Sequence, residues 1–244
     1  MVEASIDVEL GIDSASPDAS LALMRGDEVL AERRWTIEST FSQELLAAID
    51  SLLTQAGVER TAITAVAVNA GPGGYTGLRT GVATAQGLAF ALDVPLAGVS
   101  RLEAEALPLL ESGGGGEAPP LVVVHDLGGT RGVAWAVYER GGADSEPLPV
   151  ELTAPRIDSI EDCVRDAPDG ARWTGELTEE LLAALAARSR AADAEVVESD
   201  AVRAASLIRL ARRRQAYGDP AVADVIYLRP PSITKPSESG RRSR

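Results

Sequence analysis

The predicted order of secondary-structure elements restricts the fold more than any other feature of this sequence. Apolar and polar residues alternate over Ile6–Ile12, which predicts a strand, and a hairpin turn at Gly26-Asp27 separates two further predicted strands, Leu21–Met24 and Val29–Ile37. Apolar residues then recur at helical spacing from Phe41 until Gly57 ends the helix. A strand at Ile63–Val68, a helix ending at Leu92, a strand at Leu96–Val99 and a helix at Arg101–Leu110 follow. The first half therefore has the predicted order β-β-β-α-β-α-β-α.

The same order recurs after a segment with the composition of a linker. Residues 112–120 contain the four glycines Gly113–Gly116 and the pair Pro119-Pro120. Beyond them we predict strands at Leu121–Val124, Gly132–Tyr138, Val150–Leu152, Arg172–Thr174 and Glu195–Val197, and helices at Ser159–Arg165, Thr178–Arg188 and Asp200–Arg214. Two such halves predict an α/β protein with the actin-like ATPase (ASKHA) fold, built from two ribonuclease-H-like halves. The predicted domains are residues 1–111 and 121–229, followed by a disordered basic tail, residues 230–244.

Charge and composition exclude several classes of protein. The chain has 37 acidic and 23 basic residues and a net charge of −14, so the phosphates of nucleic acid would repel it as an independent, non-specific binder. No apolar run is long enough to span a bilayer and no signal peptide is visible, so we expect no membrane association and a cytoplasmic protein. A single Cys and a single His exclude an intrachain disulfide and a Cys/His metal cluster, so we expect no metal site.

Two sequence-distant turns are candidates for binding a nucleotide phosphate. Asp13 and Asp126 each follow the first strand of their half, where the actin-like fold offers polar groups to a phosphate. A glycine-rich segment, residues 69–81, leads from a strand into a helix and can present backbone N–H groups to an anion. It is neither a Walker A nor a Rossmann loop, and plain turns packed against the protein remain the alternative. The candidate nucleotide-binding residues are Asp13, Ser14, Gly73, Gly74 and Thr76.

The helix after this segment contains two interior glycines, Gly81 and Gly87. A glycine inside a helix costs about 1 kcal/mol relative to alanine. The two glycines therefore indicate close approach by another backbone, which is either the protein's own sheet or a partner helix.

This block resembles the signature of the TsaB (YeaZ-like) family of bacterial tRNA threonylcarbamoyladenosine biosynthesis proteins. The resemblance rests on Gly71-Pro72-Gly73-Gly74-Tyr75-Thr76-Gly77-Leu78-Arg79 and on Gly81-Val82-Ala83-Thr84-Ala85-Gln86-Gly87-Leu88-Ala89. Residues 11–15, 94–100 and 226–230 provide supporting matches. Gly74, Tyr75 and Phe41 depart from the Ser, Phe and His that are usual in the family.

The resemblance implies a non-catalytic subunit that binds and activates TsaD. With TsaE, that complex transfers a threonylcarbamoyl group to the adenosine next to the tRNA anticodon. The resemblance therefore implies that this subunit contacts tRNA only as part of the complex. Members lack the metal-binding histidines of TsaD, so no catalytic residue is expected here. No tightly bound cofactor is expected, although ATP or ADP could act at the level of the complex, and a homodimer is a further expectation. The implied partner interface comprises Phe41, Leu45, Leu46, Ile49, Leu78, Arg79, Val82, Ala85 and Ala89.

Two alternatives remain open from the sequence. Asp13, Asp126 and the glycine-rich segment are compatible with a stand-alone actin-fold ATPase or phosphotransferase. The basic tail and the cluster Arg209–Arg214 could contact tRNA within the assembled complex, although a solvated helix face is the simpler reading of such a charge run.

Overall fold

The computed structural model of the chain describes residues 8–16, 18–37, 41–112, 118–128, 132–143, 146–188, 194–226 and 228, and excludes the side chains of residues 41 and 42. The first half contains β1 (Val8–Asp13), β2 (Asp18–Arg25), β3 (Glu28–Thr36), α1 (Phe41–Ala56), β4 (Ile63–Gly71), α2 (Tyr75–Leu92), β5 (Leu96–Ser100) and α3 (Arg101–Ser112). The second half contains β6 (Leu121–Asp126), β7 (Val133–Ala143), β8 (Glu146–Asp158), α4 (Ile160–Asp166), β9 (Arg172–Gly175), α5 (Glu179–Ala187), β10 (Glu195–Val196) and α6 (Arg203–Arg213).

The two halves have the same sheet topology. Their strand orders are β3-β2-β1-β4-β5 and β8-β7-β6-β9-β10. In each sheet the first three strands pair antiparallel and the last two add in parallel, as the intervening helices require. The prediction of two β-β-β-α-β-α-β-α halves, and with it the fold class, is confirmed.

Several predicted boundaries were wrong for local reasons. Strand β4 continues through Asn69 to Gly71, because the Asn69 side chain accepts a hydrogen bond from the Gly71 amide and keeps this segment ordered within the sheet. Strand β8 is 13 residues long and extends well beyond Val150–Leu152. It pairs only with β7 at the edge of its sheet, so its sequence lacks the apolar alternation of a buried strand. Helix α6 begins at Arg203 rather than at Asp200.

The last helix of the chain packs on the first sheet. One face of that sheet presents large side chains, including Leu10, Leu21 and Val66, to α1 and α2. The opposite face is lined by small residues such as Ala22 and Ala67, and α6 packs against it. At Gly11 a Cβ atom would lie only 2.2 Å from the Ala204 carbonyl oxygen of α6, so the strand must have glycine there. The small residues on this second face therefore allow α6 to pack close to the backbone of the first sheet.

Helix α3, which belongs to the first half, packs in turn on the second sheet. Its side chains Leu102, Ala106 and Leu110 pack with Leu121 and Tyr138 of the second sheet. The two sequence halves thus share their hydrophobic cores through α3 and α6. The domain limits 1–111 and 121–229 stay a prediction, while Gly113–Gly116 and the tail from 230 onward lie outside the described residues.

None of the helices in the described ranges is both long enough and apolar enough to cross a membrane.

The contact between Gly11 and α6 predicts that Gly11→Ala is strongly destabilising. The added methyl group would push α6 away from β1, which should lower the free energy of unfolding by about 1–3 kcal/mol in urea denaturation. The matched control is Gly218→Ala, where a Cβ meets nothing within 4 Å and the free energy should change by less than about 0.5 kcal/mol. Equal effects of the two substitutions would contradict the close packing.

Candidate functional site

A cleft of about 500 Å³ lies between the two halves, at the turn that follows β1. Ser16, Asp18 and Arg34 line it from the first sheet, and Glu176 from the loop after β9. Helix α3 contributes Arg101 to its wall and α6 contributes Arg203. Helices α3 and α6 therefore direct charged side chains into the cleft beside the turn after β1, where nucleotide binding was predicted.

Asp13 is fully buried and its carboxylate is occupied by protein donors. Its Oδ1 accepts hydrogen bonds from the Asn69 side-chain amide at 2.8 Å and from the Ala15 backbone at 3.1 Å. Its Oδ2 accepts one from Nε of Arg203. Burial alone raises the pKa of Asp13, but the nearby charges of Arg203 and Arg101 outweigh burial and hold the pKa below its usual value. The predicted phosphate-site aspartate is thus an ionised partner of an internal arginine.

The ion pairs continue from Arg203 across the cleft. Arg203 lies 3.6 Å from the Glu105 carboxylate, which also accepts a hydrogen bond of 3.0 Å from Nε of Arg101. Arg101 is 1% exposed and donates through Nη2 to Glu176 Oε1 at 2.6 Å. The chain of charges from Asp13 to Glu176 therefore links the first sheet to the second, and we name these five residues, with His125, the interlobe network.

His125 completes this network at the end of β6. Its Nδ1 lies 2.7 Å from Glu176 Oε2 and 2.9 Å from Nη1 of Arg101. Burial raises the pKa of Glu176, but the hydrogen bond from His125 and the charge of Arg101 lower it to about 2. Glu176 is therefore ionised at neutral pH and bound on both oxygens.

Four members of the network were missed from the sequence: Arg101, Glu105, Glu176 and Arg203. A signal existed for the pair Arg101 and Glu105, which are opposite charges four residues apart in a predicted helix and so face the same side. No local pattern could have found Glu176 or Arg203, because each follows a loop and meets its partners only through the packing of the two halves.

The glycine-rich segment packs against the first turn. The Gly74 amide donates to the Ala15 carbonyl at 2.6 Å, and a Cβ at Gly73 would lie 2.5 Å from the same oxygen. Ser14 donates from Oγ to the Gly77 carbonyl at 2.9 Å. The structure thus brings Asp13, Ser14, Gly73 and Gly74 together, but these contacts join them to each other and to their neighbours. Thr76 is exposed on the first turn of α2.

The Asp126 carboxylate also accepts from the protein, through Oδ1 and the Gly128 amide at 3.0 Å. This hydrogen bond is that of an ordinary aspartate turn.

The two interior glycines of α2 have different environments. At Gly81 a Cβ would lie 2.3 Å from Ser14 Oγ, so this glycine is required by the protein's own first turn. At Gly87 a Cβ would meet nothing within 4 Å, and the residue is exposed. Close packing within the chain itself therefore explains Gly81 but does not explain Gly87.

The predicted interface residues on α1 and α2 need correction. Six of them face the protein's own core and are buried: Leu45, Ile49, Leu78, Val82, Ala85 and Ala89. The amphipathic pattern identified the core side of each helix, because apolar spacing cannot distinguish a sheet from a partner. Leu46 is 51% exposed, and Arg79 is exposed with its guanidinium 4.2 Å from the centre of the Tyr75 ring. The Phe41 side chain lies outside the described residues.

The arginine cluster of α6 is engaged within the chain. Arg212 donates to Glu9 at 2.8 Å, Arg213 to Glu111 at 2.6 Å, and Arg214 lies 2.6 Å from Glu103. Arg209 lies 3.8 Å from Glu111. These ion pairs attach α6 to β1 and α3, which gives the arginines a structural role; the hypothesis of a tRNA contact by Arg209–Arg214 within the assembled complex stays a prediction. The basic tail of that hypothesis lies outside the described residues.

Metal ligands do not cluster in the described part of the chain, where no group of three or more His, Cys, Asp or Glu could hold an ion. The Cys163 thiol is buried in the core of the second half, and burial raises its pKa to about 12. It therefore remains protonated at neutral pH.

Comparisons with known proteins agree with the fold and with the glycine-rich block. Residues 35–174 match a family model described as TsaD, tRNA N6-adenosine threonylcarbamoyltransferase. The tRNA threonylcarbamoyladenosine biosynthesis protein TsaB of Bacillus subtilis (strain 168) is 37% identical over 94 residues, covering 38% of this chain and 41% of the relative. TsaB of Escherichia coli (strain K12) is 38% identical over 93 residues, covering 38% and 40%. The chain thus spans about two fifths of the length of these curated relatives.

A solved structure from Pseudomonas aeruginosa, described as an uncharacterized protein with similarity to peptidase YEAZ, superposes with a TM-score of 0.73. It is 25% identical, and the match covers 91% of this chain and 100% of the other. The similarity therefore extends over both halves of the fold.

The Asp13–Arg203 pair predicts a pH-dependent cost for Arg203→Ala. Removing the guanidinium deprives the buried Asp13 carboxylate of its direct ion pair and leaves it only the hydrogen bonds from Asn69 and Ala15 and the more distant charge of Arg101, which should lower the free energy of unfolding by about 3 kcal/mol at pH 7. The cost should shrink as the pH falls toward about 4, because the unpaired Asp13 can then take up a proton, whereas in the wild type its lowered pKa keeps it ionised. Urea unfolding at several pH values measures this dependence.

Two further variants control that experiment. Adding Asp13→Asn to Arg203→Ala should recover part of the lost stability by removing the buried charge. Arg165→Ala, which breaks an exposed ion pair, should have little effect at any pH. A cost of Arg203→Ala that is independent of pH would contradict the assigned pairing.

Proposed function

Because this chain belongs to the TsaD family of tRNA N6-adenosine threonylcarbamoyltransferases and groups with its TsaB (YeaZ) members, we propose that it is a non-catalytic subunit of tRNA threonylcarbamoyladenosine biosynthesis. In this proposal the chain acts in the cytoplasm, binds TsaD and activates it. The transfer of the threonylcarbamoyl group to adenosine takes place in TsaD.

The observation that carries the proposal is the outer surface of α1 and α2, which we define by Leu46, Gly87 and Phe90. Leu46 and Phe90 are large apolar side chains with 51% and 60% of their surface exposed. Gly87 lies on the exposed side of α2. A glycine at this helix position costs stability, and nothing in the chain's own packing compensates for that cost. A partner helix approaching the α2 backbone closely at Gly87 explains both the glycine and the exposed apolar groups.

The interlobe network supports a subunit without chemistry of its own. The carboxylates of Asp13 and Glu176 are held ionised by the neighbouring arginines, and the His125 ring is in contact with both a carboxylate and a guanidinium. Among the described residues, Oε2 of Glu105 is buried without a hydrogen-bond partner. Both oxygens of Asp13 and of Glu176, in contrast, are engaged by the protein and are not free to act on a substrate. We therefore propose that nucleotide, TsaE and tRNA are bound by the assembled complex rather than by this chain alone. The same outer surface would support a homodimer when TsaD is absent.

Gly87→Gln should weaken the complex with TsaD from the same organism without unfolding the chain. The side chain fits into open space in the isolated protein, and glutamine is a better helix former than glycine, so thermal stability should be retained or increased. At a close helix–helix contact it should reduce the affinity by about ten-fold or more, measured by calorimetry on the purified proteins. Leu46→Asp should act in the same direction.

The matched control for these variants is Ala183→Gln on the exposed side of α5, which should leave TsaD binding unchanged. Full affinity in both Gly87→Gln and Leu46→Asp would remove this surface from the proposal. The absence of any complex with TsaD, with or without nucleotide, would overturn the proposed function itself.

The alternative of a stand-alone ATPase or phosphotransferase makes a different prediction. It depends on Asp13, Asp126 and the glycine-rich segment, whose polar groups are bonded to the protein. We expect the purified chain to hydrolyse ATP no faster than buffer does in a phosphate-release assay, and Asp13→Asn to leave that rate unchanged. Turnover that is lost in Asp13→Asn would favour the alternative over an accessory subunit.

A further inference from the structure

A cavity of about 390 Å³ lies at the C-terminal end of α2. Its apolar lining includes Phe90, Val94, Pro95 and Pro220. Phe90 has 60% of its surface exposed and also belongs to the outer surface of α1 and α2 defined above. The cavity is therefore continuous with the surface proposed to bind TsaD.

Hydrogen bonds within the chain hold this cavity open. The Gly218 amide donates to the Leu96 carbonyl and the Leu96 amide donates to the Gly218 carbonyl, each at 3.0 Å. The Gln86 side chain of α2 donates to the Pro220 carbonyl at 3.1 Å and to the Ala223 carbonyl at 2.8 Å. Because these bonds attach the segment to both α2 and β5, the cavity is already formed in the isolated chain.

The charged groups of the cavity are all negative. Among the described residues that line it, two are aspartates, Asp93 and Asp219, and none is a lysine or an arginine. Oδ1 of Asp219 accepts a hydrogen bond of 2.9 Å from the Ala221 amide. Asp93 is exposed, and no hydrogen bond or ion pair joins its carboxylate to another of the described residues. The cavity therefore combines an apolar lining with an unbalanced negative charge.

Asp93 stands at a position where the local structure disfavours an aspartate. It caps α2 in the left-handed region, with φ 57° and ψ 48°, where glycine has the lowest cost. Its charge lies at the negative end of the helix macrodipole, and α2 has no basic residue in its last turn. Within the described part of the chain no contact offsets these two costs, so a cation supplied by a partner explains the carboxylate.

A second copy of this chain is a poor source of that cation. Each copy has a net charge of −14, so two copies repel one another. Three arginines of α6, Arg203, Arg212 and Arg213, are already paired within the chain. A different protein that offers a lysine or an arginine beside an apolar side chain complements both the charge and the lining of the cavity.

We propose that the cavity at the end of α2 receives a segment of TsaD in which an apolar side chain lies next to a lysine or an arginine. The apolar side chain packs against Phe90 and Pro220, and the cation pairs with Asp93. This inference rests on the proposed function, because it extends the TsaD-binding surface from Gly87 past the end of α2. The added charge recognition distinguishes TsaD from a second, equally acidic copy of the chain.

Asp93→Gly separates binding from folding. Glycine relieves the left-handed conformation and removes the charge at the helix end, so the thermal midpoint should be retained or raised. The affinity for TsaD from the same organism should nevertheless fall about two- to five-fold, and Asp93→Lys should lower it about ten-fold, measured by calorimetry. Added salt should weaken the wild-type complex more than the complex of Asp93→Gly.

The matched control for Asp93→Lys is Glu180→Lys on the exposed side of α5. It makes the same change in net charge far from α2 in the sequence, and it should leave the affinity for TsaD unchanged.

Gly218→Leu tests the apolar part of the site. Gly218 lines the cavity, and a Cβ atom there meets nothing within 4 Å, so a longer side chain has open space to occupy. The leucine should take the place of the partner's apolar side chain and lower the affinity for TsaD about ten-fold, while the thermal midpoint is retained. Gly218→Ala adds only a methyl group and should have a much smaller effect.

The outcomes separate this inference from the proposed function. If the wild type binds TsaD but either Asp93→Lys or Gly218→Leu binds with unchanged affinity, the inference is overturned and the proposed function stands. If the wild type forms no complex with TsaD, both fail. Loss of self-association in these variants, with unchanged affinity for TsaD, would also overturn the inference, since the cavity would then hold a second copy.

Discussion

The ion pair between Asp13 and Arg203 connects the parts of the molecule that are most distant in sequence. Asp13 ends the first strand, and Arg203 begins the last helix, 190 residues later. Their contact fixes the start of α6 at the edge of the first sheet, and the fit of Gly11 against Ala204 fixes the rest of the helix on the sheet. Arg203 also contacts Glu105, and Glu105 is linked through Arg101 to Glu176, so this pair is connected to the contacts that join the two halves.

The same pair determines what the cleft can bind. An internal guanidinium occupies the carboxylate to which a phosphate-bound cation would be drawn in an actin-like enzyme. The neighbouring turn and the glycine-rich segment are likewise bonded to each other through Ser14, Gly74 and Gly77. The polar groups of Asp13, of the first turn and of the glycine-rich segment therefore hold parts of the chain together, which agrees with the proposed role as an accessory subunit.

The sequence predicted the fold better than the site. Alternating strands and the helical spacing from Phe41 onward depend on neighbouring residues, so the element order could be predicted correctly. The site depends on which elements meet. Sequence spacing marked Leu45, Ile49 and Ala85 as apolar helix positions, but only the packed structure shows that they face the protein's own sheet. Arg203 and Glu176 had no local signal, because their partners come from elements far away in the chain. Gly81 and Gly87 were indistinguishable in sequence and are distinguished by what surrounds them.

The crossing of α6 onto the first sheet also governs the order in which the chain can fold during synthesis. The ribosome produces β1 to β5 first, yet α6, which packs on one face of their sheet, is complete only when residue 213 has been made. That face is lined by Met24 and by the small side chains of Ala22, Ala67 and Ala97. The first half can therefore complete its hydrophobic core only after almost the entire chain has been synthesised, because α6 supplies a large part of that core.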